Sequence, residues 1–347
     1  MKRLFYILVC MLLCGCMDYG PLSEEEFSGA GRGVFIVCEG NFTYGNASLS
    51  YYDVQSRQVA GEVFARANAV SLGDVAQSMT ILGQDGYIAV NNSGAVLAMD
   101  INTFRIKGII KGLTSPRYIH FVSPQKAYIT DLYAPQITVF DPRTLQITGR
   151  ISTGRHNSTE RMVQWGPWVM AACWSYDNKI LVIDSRTDTV VDSITVGIQP
   201  RALEIDRYGK LWCLTDGGYE GSPAGHEAPT LSRIDADSRT VEQTFTFRKG
   251  DTPTQMAMNA ARDTLYYING GLWCMDVSQQ RLPLRPVAES DGTIFYSLGV
   301  DPQSSEVYLG DAIDYTQPGV VYRFTPRGEC IDTFRVGIIP ASFCFKP

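Results

Sequence analysis

Seven times along this chain an apolar, alternating run ends at the mouth of a turn, and six of the seven runs end in Asp. The copies are 49–53 (LSYYD), 96–100 (VLAMD), 137–141 (ITVFD), 180–184 (ILVID), 231–235 (LSRID) and 272–276 (LWCMD), with 320–324 (VVYRF) a decayed form. Consecutive copies are spaced 41 to 51 residues apart. A period of that size means that one supersecondary unit is repeated and that neighbouring units bury each other's faces. The units are rich in Val, Ile, Thr and Tyr and bounded by Gly, Pro, Asp and Asn, which argues for strands and against a helical solenoid.

The third copy shows what one unit holds. Segments 117–122, 126–131, 136–141 and 145–151 each alternate or fit an extended run, so the unit reads as four strands in a meander. The Asp that closes the third strand can accept hydrogen bonds from backbone N–H groups two residues on. Ser56, Thr103, Thr144, Thr187 and Ser238, three residues on, can support the same turn. The repeated Asp is therefore structural: a catalytic carboxylate would be unique, and this one recurs.

The two ends of the chain fit together. The terminal segment 340–347 (PASFCFKP) is a first strand without the rest of its unit, whereas 33–39 (GVFIVCE) is a second strand without a first. Pairing them removes both exposed sheet edges. The expected fold is all-β: a single seven-bladed β-propeller over residues 33–347 whose C-terminal strand is the innermost strand of blade one.

Residues 1–16 read as a lipoprotein signal. Lys2 and Arg3 precede an apolar stretch too short to span a bilayer, and Leu13-Cys14-Gly15-Cys16 fits a bacterial lipoprotein cleavage box, with Cys16 the lipidated residue. Residues 17–32, with Asp18 and Glu24 to Glu26, read as an acidic tether. The expected location is the outer membrane, lipid-anchored and surface-exposed. The formal net charge of −6 becomes −8 once Lys2 and Arg3 are removed, and no basic cluster is present, which argues against nucleic acid as a partner. Outside the signal, Cys38, Cys173, Cys213, Cys274, Cys330 and Cys344 form no C-x-x-C pair, so buried free thiols are expected and no metal site. Whether Cys38 and Cys344, at the seam, are bonded is open at this stage.

In a propeller the entrances of the inner strands and the loops from second to third strand open on one face. Here that face would gather Gln77, Arg117, Glu160, Arg161, Arg201, Gln255 and Tyr296 from the entrances. The loops would add Asn41, Phe42, Tyr44, Asn91, Asn92, Tyr133, Trp174, Tyr176, Tyr219, Asp311 and Tyr315. Aromatic rings in loops that need only turn residues offer rigid contact area at small entropy cost, and a concave mouth with convergent polar groups is a binding site by default. The longest insertion, 217–229, is rich in Gly and Pro and would project from the same face as a mobile or tightly turned lid. Of the three histidines, His120 is expected to be hydrogen-bonded in the channel, His156 to be solvent-facing polarity, and His226 lies in the insertion.

Enzyme signatures are missing: there is no H-E-x-x-H, no G-x-S-x-G and no phosphate-cradling Gly loop before a helix. A metal-dependent lactonase-like hydrolase would have to draw on oxygen ligands such as Glu160, Asn91, Asn269 and Asp311, residue types that are also routine turn formers.

The segment 180–218 (ILVIDSRTDTVVDSITVGIQPRALEIDRYGKLWCLTDGG), with D-x-x-T, V-G-x-x-P and a K-L-W strand, resembles the YncE-like propeller family, and the resemblance spans nearly the whole chain after residue 33. Joined to a lipoprotein signal, it is similar to the surface propellers that capture cobalamin (vitamin B12) and hand it to a TonB-dependent outer-membrane transporter. The resemblance implies a monomeric, non-enzymatic capture protein without a resident cofactor, its loop face holding a corrinoid. It carries over the binding face, not a set of ligand contacts. A protein-interaction scaffold at the cell surface is the alternative of a different class.

Overall fold

A computed structural model of the protein describes residue 29 and residues 31–347. The expected signal peptide, Cys16 and nearly all of the expected acidic tether lie outside the described residues. Seven four-stranded antiparallel sheets form the ring, as the repeat requires. Blade one comprises, from the channel outwards, Pro340–Lys346, Gly33–Cys38, Ser48–Asp53 and Val59–Ala60. The C-terminal strand thus closes the ring on the first strand in sequence, with Phe35 opposite Cys344 and Val34 opposite Phe345. Blades two to seven follow in sequence order, their innermost strands being Ala76–Leu82, Pro116–Ser123, Thr159–Trp165, Pro200–Ile205, Met256–Met258 and Phe295–Val300.

The core is divided among the seams between blades. Among the described residues there are seven apolar clusters, each built from the facing sides of two adjacent blades. The second strand of a blade is buried on both faces, as in Gly33–Cys38, so it reads as an unbroken apolar run. The fourth strand faces solvent and alternates, as in Thr189–Thr195. This division settles the two seam cysteines. Cys38 packs with Tyr308 and Val321 of blade seven, whereas Cys344 packs with Ile88 and Val90 of blade two. They occupy opposite faces of their sheet, and both are free thiols.

The recurring Asp does hold the turns. Asp53 Oδ1 accepts from the N–H groups of Gln55 (3.0 Å) and Ser56 (2.6 Å), and Asp100 Oδ1 from those of Asn102 and Thr103 (both 2.9 Å). The hydroxyls of Ser56 and Thr103 add a further bond each. At Asp141 and Asp184 the sequence expectation fails in detail: Arg143 and Arg186, two residues on, supply the side-chain bonds, while the Thr187 hydroxyl pairs with Thr189.

Two blades depart from the repeat. In blade one the fourth strand shrinks to Val59–Ala60, and a short helix, Val63–Asn68, buries Val63 and Phe64 in its place. In blade six the fourth strand is only Ala288–Glu289, because Pro283 and Pro286 just before it remove ladder donors. Gly31 and Arg32, at the end of the expected tether, already touch the ring: Tyr51 Oη donates to the Gly31 carbonyl at 2.7 Å, and Arg32 pairs with Asp301 of blade seven. No helix among the described residues is long and apolar enough to cross a membrane.

Candidate functional site: the channel mouth and its aromatic rim

The innermost strands share a defect at one height. In six of the seven the ladder skips just after the first residue, leaving an extra residue at 77, 117–118, 160–161, 201, 296 and 341. A bulge breaks the in-and-out alternation and re-aims a side chain. It acts here on six of the residues singled out from sequence: Gln77, Arg117, Glu160, Arg161, Arg201 and Tyr296.

Bulged residues of neighbouring blades meet at the mouth. Arg117 of blade three donates through Nε to Glu160 Oε1 of blade four at 2.7 Å and through a terminal nitrogen to Gln77 of blade two. Both charges are sheltered, with side-chain exposures of 15% for Arg117 and 5% for Glu160, so neither is left to water alone. Tyr296 of blade seven donates its hydroxyl to Glu39 Oε2 at 3.0 Å. Glu39 follows the second strand of blade one, and sequence reasoning missed it; a Glu leaving a strand carries no local mark of a channel position.

The electrostatics of the mouth follow from one cation among two carboxylates. Burial works against the Arg117 charge, but Glu160, Tyr118 and Glu39 together outweigh burial and hold the guanidinium charged. Burial pushes the Glu39 carboxyl up from its ordinary 4.5 to about 7; repulsion from Glu160 adds to this, while the Tyr296 hydroxyl and Arg117 oppose it. Burial and the adjoining Glu39 also push the Tyr296 phenol up. Because Glu39 binds its proton more tightly folded than unfolded, its contribution to stability is complete below pH 4.5 and is lost as pH rises through about 7. Glu39→Gln should therefore flatten the decline in stability between those pH values, by up to about 3 kcal/mol. Urea unfolding of wild type and variant at pH 5 and pH 7.5 checks this; equal pH dependence in the two proteins would refute it.

Deeper in the channel, Arg161 lies over the Tyr118 ring at 4.6 Å and His120 Nε2 meets Gln164 Oε1 at 2.9 Å, the hydrogen-bonded place expected for that histidine. Burial lowers the His120 pKa.

Around the mouth the aromatic residues form clusters. The Arg201 guanidinium lies 5.0 Å above the Trp174 ring, whose Nε1 donates to Asp216 Oδ2 at 3.0 Å, and Arg201 itself is 3.6 Å from that carboxylate. The hydroxyls of Tyr176 and Tyr219 stand 3.3 Å apart, joining the loops of blades four and five. On the other side Asn41 Nδ2 donates to the Tyr315 carbonyl at 2.6 Å, and the rings of Tyr315 and Tyr296 meet edge to face. Phe42, Tyr44, Tyr133, Tyr176, Tyr219 and Tyr315 are all exposed, Tyr44 by 77% and Tyr133 by 70%.

Other residues chosen from sequence serve the backbone. Asn91 Nδ2 reaches the Pro116 carbonyl at 3.4 Å, and Asp311 Oδ1 accepts from the Ile313 N–H at 2.8 Å. Asn269 Oδ1 likewise accepts from Thr252 N–H, so of the oxygens considered for a lactonase metal those of Asp311 and Asn269 are engaged with backbone N–H groups and one of Glu160 with Arg117. Gln255 lies just before the innermost strand of blade six, its carbonyl accepting from Ile268 N–H. The 217–229 insertion is tightly turned. Gly217 and Gly218 take left-handed φ of 79° and 73°, Gly218 bridges to His226, and Glu227 Oε1 accepts from Ile198 N–H at 2.6 Å. His156 is not mere solvent-facing polarity: its Nδ1 lies 2.5 Å from Asp177 Oδ2, beside Cys173.

Fold and mouth together define a seven-bladed β-propeller with an ion-paired channel entrance ringed by exposed aromatics. The chain belongs to the DUF5074 family, a domain of unknown function, whose model matches residues 32–335. No curated protein matches the chain in sequence. Among solved structures it is similar to a quinonprotein alcohol dehydrogenase-like protein of Bacteroides thetaiotaomicron, with a TM-score of 0.67, 14% identity, and coverage of 92% of this chain and 79% of that one. It is also similar to the hydrazine synthase of Kuenenia stuttgartiensis, with a TM-score of 0.64, 18% identity, and coverage of 78% and 89% respectively. At such identities the likeness establishes the fold alone.

Proposed function

We propose that this protein is a non-enzymatic capture propeller, anchored by lipid at Cys16 to the outer membrane, that holds a flat amphipathic ligand over its channel mouth. The ligand put forward is cobalamin or a related corrinoid, which the protein would deliver to a TonB-dependent transporter. The observation that carries the reading is the contrast on one face: exposed aromatic rings stand around a sheltered, ion-paired entrance. Rings fixed in loops provide stacking area for a macrocycle, and polar groups beside them orient its amide and phosphate edge.

The three arginines at the strand entrances do not stand equal. Arg117 is spent on Glu160 and Gln77, and Arg161 lies against Tyr118. Arg201, 32% exposed and set over Trp174, is the cation with a free side for an anionic or amide oxygen. Isothermal titration of the purified protein with cyanocobalamin should give saturable heat at micromolar concentrations or below. Trp174→Ala should weaken binding about tenfold or more, the scale of a buried aromatic anchor. No heat at micromolar concentrations would overturn the ligand assignment.

A further inference from the structure

On blade four, three segments bring an imidazole, a thiol and a carboxylate together. Cys173 ends the strand Trp168–Cys173 and is fully buried. Asp177 lies four residues on, in the loop to the next strand, and His156 comes from the connection that enters the blade. Their ligand atoms all lie within 4.8 Å of one another, and this is the one such group of three among the described residues. We infer that His156 Nδ1, Cys173 Sγ and Asp177 form a binding site for a zinc-like divalent ion, with one coordination position left open.

Ligand chemistry chooses the ion. Nitrogen and sulfur donors suit a borderline-soft metal such as Zn²⁺ and do not suit Ca²⁺ or Mg²⁺, which take oxygen. One thiolate and one carboxylate balance the two positive charges of the ion, and the neutral imidazole completes three protein ligands. Zinc bonds of about 2.0–2.3 Å place ligand atoms within about 4 Å of each other, so side-chain rotation suffices to close the site. On metal entry the Cys173 S–H bond breaks, its proton passes to solvent, and the sulfur forms the bond to the ion.

The surrounding backbone is already pinned. Thr153 Oγ1 donates to the His156 carbonyl at 2.6 Å, the Asp177 carbonyl accepts from Gln199 N–H at 2.7 Å, and Asp177 Oδ1 accepts from Asn178 N–H at 2.7 Å. Entry is open from one side, since the His156 and Asp177 side chains each keep 16% of their surface exposed. The site adjoins Trp174 but does not depend on the capture reading, and the two are tested by different measurements.

The test is titration of the purified full-length protein with Co²⁺, a spectroscopic stand-in for zinc, followed by displacement with Zn²⁺. A thiolate-to-cobalt charge-transfer band that saturates at one ion per chain is expected. The band should vanish in Cys173→Ser, and affinity should fall at least tenfold in His156→Ala and Asp177→Asn. Circular dichroism of the metal-free variants separates loss of ligand from loss of fold. Should Cys173→Ser fail to fold, the other two variants decide, since neither removes a core side chain. Absence of the band, or a band unchanged in all three variants because other thiols carry it, would overturn the inference.

Discussion

A chain ending at Ile339 should fail to fold. The eight residues removed provide the innermost strand of blade one, which pairs along its length with Gly33–Cys38. Phe343 and Phe345 pack against Tyr308 of blade seven, with ring centroids 6.0 and 5.4 Å away, and Cys344 joins the cluster shared with blade two. Lys346, 5% exposed, donates to Asn102 Oδ1 at 2.7 Å and to the Gly29 carbonyl, so it ties blade one to the turn of blade two. Each large apolar side chain lost is worth about 1.5–3 kcal/mol, and the stability of a whole domain is about 5–15 kcal/mol. The cut also exposes an inner strand edge and two blade faces. The expected result is an insoluble chain, or a soluble one without a cooperative thermal transition. A truncated protein that melts cooperatively within a few degrees of the full chain would show that the seam is dispensable.

Arg117→Ala should be the most damaging single substitution at the channel mouth. It leaves Glu160 buried without its cation and removes the charge that attracts Glu39, while Gln77 loses its donor. Removing one partner of a buried pair costs about 3–5 kcal/mol, because the charge left behind is uncompensated. Replacing both partners avoids that penalty, so the double variant Arg117→Met, Glu160→Met should be clearly more stable than Arg117→Ala. Loss of the cation also leaves only the Tyr296 hydroxyl to oppose burial at Glu39, whose titration should move above about 7. Chemical unfolding of the two variants, with the pH dependence of each, provides the check. Equal stabilities would mean that the ion pair contributes nothing beyond packing.

The ring could be read from the sequence because its signal is local. An Asp that accepts from the N–H groups two and three residues on marks a turn within one short segment, and the turn recurs at nearly constant spacing. The seam was legible for a related reason: residues 340–347 form a strand that lacks a unit, and residues 33–39 a strand that lacks a partner. The mouth was only half legible. Counting strands puts Gln77, Arg117 and Tyr296 at the entrances, but the bulges that turn Arg117 and Gln77 to one another and Tyr296 to Glu39 leave no mark in composition.

Glu39 became part of the mouth only through ring closure, which brings it to Tyr296 across 257 residues of sequence. His156, Cys173 and Asp177 are not recognisable as a group in the sequence, because their spacing fits no ligand pattern and the blade, not the local sequence, gathers them. Asn91 and Asp311 were chosen as site residues because turn-forming amides and carboxylates look the same in sequence whether they hold a backbone or a ligand.

The proposed capture role puts function where the repeats differ, on the face carrying the mouth and its aromatic rim, and not at the Asp turns they share. Hydrogen–deuterium exchange of the protein with and without cyanocobalamin tests this most directly. Slower exchange with ligand is expected in residues 41–46, 131–135, 174–178 and 216–228, and no change in the turns after Asp53, Asp100 and Asp141. Protection at those turns, with the rim unchanged, would contradict it.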